Sequence, residues 1–431
     1  MTFVPVYILI LGATIIIDYL AGILIASSPN DQRRKFWLIL SITTNVGILA
    51  FYKYFNFILE NIEPLVSYLQ PQYQLPYLDI LLPIGLSFHT FQAMSYTIEV
   101  YRGDQEPERN LMVYSVYVLF YPQLVAGPIE RPQNIIHQIR EYREYDWENV
   151  KEGLARMLWG FFKKVVIADR VGMLVDHNFS HASSSSSLAL SASLFFYYFQ
   201  VYCDFSGYSD IALGAAKAMN INLMENFNQP ILSRNISEFW RRWHISLYSW
   251  FYDYVFNPIL FAFRNYQKSA IVFSLIFVFG LSGLWHGAAW HHVFYGLING
   301  VVLVYEYLSR NYRAKMFSMM PAWLSLIIGW SATFAFLLLS RAFFRAETVS
   351  EAFSFIRRIF EFRTGATYVG LNSYELIFSL IVIIIMIVRE NLFPTHSISK
   401  NKQFFAYLAI MVMICYIFGV YEENQFIYFQ F

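Results

Sequence analysis

Ten apolar runs of membrane-spanning length divide the chain, at about 4 to 27, 36 to 59, 78 to 101, 111 to 127, 188 to 218, 269 to 290, 292 to 308, 322 to 344, 373 to 389 and 404 to 421. A helix needs roughly 20 mostly apolar residues to cross the hydrocarbon core of a bilayer. The pattern therefore predicts an all-α polytopic protein of about ten to twelve transmembrane helices, with residues 1–431 as a single integral membrane domain. Two stretches keep helical spacing but carry too much charge to span. From Trp147 to Val171, Val150, Leu154, Met157, Leu158 and Phe161 mark an apolar stripe. From Glu238 to Phe256, arginines and a histidine alternate with Phe239, Trp240, Trp243, Leu247, Trp250 and Phe251. Both read as amphipathic helices at the membrane interface. The serine run from Ser183 to Ser187 reads as a loop.

Four polar-bearing stretches, the last of them followed by the stretch around His286, interrupt the pattern. Leu82-Pro83-Ile84-Gly85-Leu86-Ser87-Phe88-His89-Thr90-Phe91-Gln92 breaks one span. Tyr121 to Pro132 holds three prolines and a Gly-Pro pair, so the run from 111 should not end as a continuous helix and is a candidate re-entrant segment. Asp204-Phe205-Ser206-Gly207-Tyr208-Ser209-Asp210 sets two carboxylates at the end of a run. They suit general acid and base work, or pair with the arginines around Arg241, or cap helices. The Trp240-Arg241-Arg242-Trp243-His244 cluster is followed by Gly283-Leu284-Trp285-His286-Gly287, where an imidazole is the sole ionisable group between Ser269 and Trp290. An ionisable group at membrane depth marks either a functional site or a hydrogen bond to a neighbouring helix. His244, next to two arginines, is also placed to bind lipid phosphate or a carboxylate. Asp18, inside the first run, should face the protein interior.

Composition confirms the class. Hydrophobic residues make up 57% of the chain and charged ones 14%, against roughly 25% charged in soluble domains. With 31 Lys and Arg against 30 Asp and Glu, the net charge of +1 gives no reason to expect a nucleic-acid partner. Cys203 and Cys415 are too few for a disulfide framework. The N-terminal run lacks a basic flank and is too long for a signal peptide, so it is expected to span. Arg33, Arg34 and Lys35 place the first loop in the cytoplasm, and the stretch from Glu60 to Gln74, without Lys or Arg, belongs outside. No metal site is expected. His286 and His291 are five residues apart and turn to different helix faces, so His291 and His292 are assigned to the membrane edge. A phosphate-cradling Gly-rich loop and a Gly-x-Ser-x-Gly elbow are both missing from the sequence.

The ordered motifs resemble the membrane-bound O-acyltransferase family, in the bacterial branch of alginate O-acetyltransferase and the D-alanyl transfer protein of teichoic acids. The resemblance runs through Asn45 to Phe57, Leu82 to Arg102, Tyr121 to Pro132, Phe162 to Arg170, Asp204 to Pro230, Phe239 to Pro258, Leu284 to Gly300, Phe343 to Ala352 and Phe426-Ile427-Tyr428-Phe429. It implies helices around a central tunnel that holds His286, with a thioester entering from the cytoplasm and a hydroxyl acceptor from outside. His286 is then the general base and His244 a second catalytic polar group. Asp204, Ser206, Asn228, Trp285 and Asn299 are assigned to substrate contact or the tunnel lining. The implied donor is acetyl coenzyme A or another acyl thioester, with no bound cofactor. The partners are an exported polysaccharide or a periplasmic acyltransferase, and membrane lipid, at the bacterial cytoplasmic membrane. D-alanyl transfer from a carrier protein is the alternative within the family, and a transporter or lipid flippase is the alternative from another class.

Three departures from the family pattern stand out. Tyr252-Asp253-Tyr254 and Pro258-Ile259-Leu260-Phe261 replace an arginine and a glycine turn. Asn299 stands where many relatives carry a second histidine, and it hydrogen-bonds without titrating. The chain also starts about two spans later than long alginate-type members.

Overall fold

The computed structural model describes residues 6–79, 83, 85–364, 371–393, 400–421 and 426–427. Residues 1–5 of the N-terminal run, Leu82, Ile84, Tyr428 and Phe429 lie outside them. The described residues form helices joined by turns and loops, with no strand beyond isolated bridge residues such as the Phe227–Trp243 pair. Five of the helices are long and apolar enough to cross a membrane. The protein is an all-α membrane protein. Two compact units divide it, one of residues 1–146 with 219–224, the other of 147–218 with 225–431.

In the first unit, α1 (Val6–Ser27), α2 (Asp31–Leu49) and α4 (Leu86–Arg102) meet around the buried Asp18. Ser41 Oγ and Asn45 Nδ2 donate to its carboxylate at 2.6 and 2.9 Å. The acid faces the interior as expected, because hydrocarbon offers it no donors. A π-helical turn at Ala50–Tyr54 carries α2 into α3 (Phe55–Leu69). The stretch expected as an outer loop from Glu60 is thus helical as far as Leu69. The broken span begins its helix only at Leu86, after Gly85 at φ +79°, where a Cβ would also press on the Leu124 carbonyl. His89 Nε2 then meets Thr14 Oγ1 at 2.7 Å. The next run stops as a helix at Val118 in α5 (Leu111–Val118) and continues as turns to Gly127, as its prolines require. The unit closes with α6 (Pro132–Arg140).

The second unit is organised around α9 (Ser187–Ala218), which packs along α7 (Trp147–Phe161), a π-helical stretch at Phe162–Ala168, and α8 (Asp169–Ser180). Gly153 and Gly160 of α7 face Gly214 and Gly207 of α9, and a Cβ on any of the four would strike the opposite backbone. The predicted stripe is consequently reversed. Val150, Leu154, Met157 and Leu158 are only half-buried and Phe161 is exposed, whereas Lys151, Gly153, Ala155, Gly160 and Lys163 are buried. In a bilayer, apolar side chains gain nothing by turning inward, and small residues let helix backbones approach. The packed face therefore combines small and charged residues with Trp159.

The segment expected as one interfacial helix from Glu238 splits into α10 (Ile236–Arg242) and α11 (Ile245–Phe251). Asn226 causes the break: its carbonyl accepts from Ile245 N at 3.0 Å and its Oδ1 from Ser246 Oγ at 2.9 Å. His244 between them sits at φ +47°, a left-handed conformation that costs a non-glycine residue on the order of 1 kcal/mol and clusters at functional sites. Next come α12 (Asn257–Ala262), α13 (Lys268–His286), α14 (Trp290–Leu308) and α15 (Arg310–Ser318), then α16 (Ala322–Arg345), α17 (Val349–Phe360), α18 (Ser373–Leu392) and α19 (Asn401–Phe418). Helices α13 and α14 pack closely because Gly296 lies under the Phe279 carbonyl and Gly283 against His292. A Gly296→Val substitution should push them apart and destabilise the protein by about 1–3 kcal/mol. Thermal unfolding in detergent measures this, and an unchanged midpoint would exclude the close packing.

Candidate active site

His286 is the last residue of α13, not a mid-helix residue. The predicted run to Trp290 is cut by Gly287-Ala288-Ala289, and Trp290 begins α14, which turns back along α13. The imidazole is 8% exposed and borders a cavity of about 10 Å3, room for about one water molecule. Trp240, Trp243, Tyr295, Arg341 and Phe344 are among its other walls.

A chain of rings connects the predicted residues. His244 lies 6.1 Å from Trp285, Trp285 lies 5.0 Å from His286, and His286 lies 5.5 Å from Phe344, centroid to centroid. Phe205 meets His244 edge-on at 4.6 Å. His244 also lines an apolar groove of about 70 Å3 with Trp240, Leu247, Tyr248, Phe251 and Phe279. Burial pushes the His244 imidazole down to about 3, so it is neutral at physiological pH. The unfolded chain takes up that proton near the ordinary value of about 6.5. His244 thus stabilises the fold at neutral pH, and its contribution is lost as pH falls from about 6.5 toward 3. A His244→Gln variant should show a shallower fall in unfolding midpoint over that interval, and an unchanged slope would contradict the burial.

Asn299 is fully buried on α14, where Oδ1 accepts from Trp240 Nε1 at 3.3 Å and Nδ2 donates to the Tyr295 carbonyl at 2.8 Å. It orients Trp240, one wall of the His286 cavity. His291 and His292 are enclosed by protein. Both are buried, His291 Nδ1 is 3.0 Å from the Phe343 carbonyl oxygen, and the His292 ring packs 5.2 Å from Phe344. The turn between α13 and α14 folds them inward.

The acids of α9 take partners other than the arginines near Arg241. Asp204 Oδ1 pairs with Lys164 Nζ at 2.6 Å and its Oδ2 accepts from Ile427 N at 2.9 Å, while Lys164 also meets Asp169 at 2.8 Å. Asp210 pairs with Lys163 at 2.6 Å and Arg156 at 2.9 Å. Burial alone would lower the Lys163 ammonium, but Asp210 and Glu390 outweigh it and hold the group above its ordinary value. These ion pairs follow from the glycine contacts, which bring the charged face of α7 onto α9. Ser206 and Asn228 belong to a separate polar cavity of about 370 Å3, walled also by Arg156, Lys163, Asp210 and Glu390. Ser206 Oγ is buried there without a hydrogen-bond partner.

The model of the family described as MBOAT, membrane-bound O-acyltransferase, matches residues 107–345, which hold His244, His286, Asn299, Asp204, Ser206, Asn228 and Arg341 but not Glu390 or Ile427. The chain belongs to the membrane-bound O-acyltransferase family. Among its relatives, the probable alginate O-acetylase of Pseudomonas aeruginosa is 34% identical over 365 residues, covering 83% of this chain and 67% of the relative. The peptidoglycan O-acetyltransferase of Helicobacter pylori is 32% identical over 398 residues, covering 86% and 71%. The teichoic acid D-alanyltransferase of Bacillus subtilis is 29% identical over 268 residues, covering 59% and 67%. This membrane-bound O-acyltransferase is therefore an acyltransferase, which sets aside the transporter and flippase reading. Sequence reasoning passed over Arg341. The signal was present, since an arginine inside the apolar run from 322 to 344 meets the same criterion that singled out His286.

Proposed function

We propose that the protein moves an acyl group, acetyl in the leading reading, from a cytoplasmic thioester to a hydroxyl of an exported cell-surface polysaccharide or a periplasmic partner. The observation that carries this reading is His286 at the break between α13 and α14, bordering a small aromatic cavity within an acyltransferase. In the proposed step, His286 accepts the proton of the acceptor hydroxyl as its oxygen attacks the thioester carbonyl. The new O–C bond forms, the C–S bond breaks, and the proton passes to the departing sulfur. His244, neutral and held in its strained turn, helps place the acyl chain in the adjoining apolar groove. Trp285 spaces the two histidines, and Asn299 fixes Trp240. Ser206 and Asn228 supply polar contacts for the donor in the larger cavity, where Arg156 and Lys163 are paired with acids. The ion pairs of Asp204 favour a structural role for that residue.

This reading takes about ten to twelve crossings of a bacterial cytoplasmic membrane, a central tunnel, and no bound cofactor. D-alanyl transfer from a carrier protein remains the second reading, favoured by the teichoic acid D-alanyltransferase relative. Donor choice separates the two. Purified protein with extracted surface polysaccharide should release free thiol from acetyl coenzyme A without any carrier protein, and strict dependence on an aminoacylated carrier would overturn the acetyl reading.

A further inference from the structure

Arg341 lies one turn from the end of α16, is 2% exposed, and borders the same cavity as His286. Its guanidinium packs against the rings of Trp243 at 4.6 Å and of Tyr198, Tyr295 and Phe344 at 5.9 Å. Nε and Nη2 are buried without a hydrogen-bond partner, and among the described residues no carboxylate pairs with it. Removing a cation from water costs more than an aromatic surround returns, since the effective penalty in proteins is several times the value of one cation–π contact. The other buried cations among the described residues are arranged differently: Lys151 faces Glu148, Lys163 faces Asp210 and Glu390, and Lys164 faces Asp169 and Asp204. Arg341, the cation that shares the His286 cavity among the described residues, thus keeps donors for a partner that arrives with the substrate.

We propose that Arg341 is a catalytic residue that binds the carbonyl oxygen of the acyl donor and the oxyanion formed from it. The inference rests on the acyl-transfer reading above. As the acceptor oxygen, losing its proton to His286, bonds to the thioester carbon, the C=O electron pair moves onto oxygen. The guanidinium donates to that oxyanion, and the pair returns to re-form C=O as the C–S bond breaks and the thiolate takes the proton. Donors already in place at a dry site act mainly on the transition state, so turnover should depend on them far more than donor binding does. The same architecture explains why no acid neutralises Arg341, because a resident carboxylate would occupy the donors that the oxyanion needs.

The test compares purified wild type, Arg341→Met and Arg341→Lys, using acetyl coenzyme A with extracted surface polysaccharide, alongside thermal unfolding of each. Replacing an unpaired buried cation by an apolar side chain of similar length should leave the unfolding midpoint equal or higher. Turnover of Arg341→Met should nevertheless fall about 10²- to 10³-fold with the KM for acetyl coenzyme A within a few-fold of wild type, and Arg341→Lys should recover part of it. A lower midpoint with activity lost in proportion to folded protein would make Arg341 a structural residue and overturn the proposal. Wild-type turnover in Arg341→Met overturns it as well, leaving the acyl-transfer reading intact. A wild type that transfers no acyl group overturns both.

Discussion

Replacing His286 by Ala should lower acyl transfer at least about 10²- to 10⁴-fold, the range expected when a positioned general base is removed. The protein should still insert and unfold near the wild-type midpoint. The side chain sits at a helix end, between α13 and the turn to α14, and the close contacts that hold those helices together are made by Gly283 and Gly296 rather than by the imidazole. Turnover with free thiol release, paired with a thermal unfolding curve, checks both parts. An inactive variant that also fails to fold would point to packing as the role of His286.

The largest stability effect is expected at Lys164. Its ammonium is 2.6 Å from Asp204 and 2.8 Å from Asp169, and Asp204 is 2% exposed. Lys164→Met leaves a buried carboxylate without its cation, which costs about 3–5 kcal/mol. Removing both charges with Lys164→Met and Asp204→Asn should recover the part of the loss that falls on Asp204, while Asp169 still loses the Lys164 ammonium. Activity of the double variant decides the function of the acid. Recovered folding with recovered acyl transfer marks Asp204 as structural, whereas recovered folding without transfer would return it to the chemistry.

The hydrophobic pattern located most helices because each apolar run in a bilayer must close its own backbone hydrogen bonds. It also identified the stretch around His286, where an ionisable ring interrupts an apolar segment. Three features escaped it for physical reasons. The inward face of α7 includes Lys151, Gly153 and Gly160, and an apolar moment does not reveal a face packed through glycine contacts. The split at His244 depends on Asn226, eighteen residues earlier, whose side chain and carbonyl capture Ser246 and Ile245. The inward fold of His291 and His292 depends on the break at Gly287 and on α14 turning back along α13. Arg341 is a different kind of omission, since its charge was visible in the sequence while its position beside His286 comes from the packing of α14 against α16.

The measurement that bears most directly on the central claim is mass spectrometry of cell-surface polysaccharide from cells making equal amounts of wild-type and His286→Ala protein. Acyl transfer through His286 predicts a defined acyl mass increment on the polysaccharide with the wild type and none with the variant. The same increment in both would contradict it.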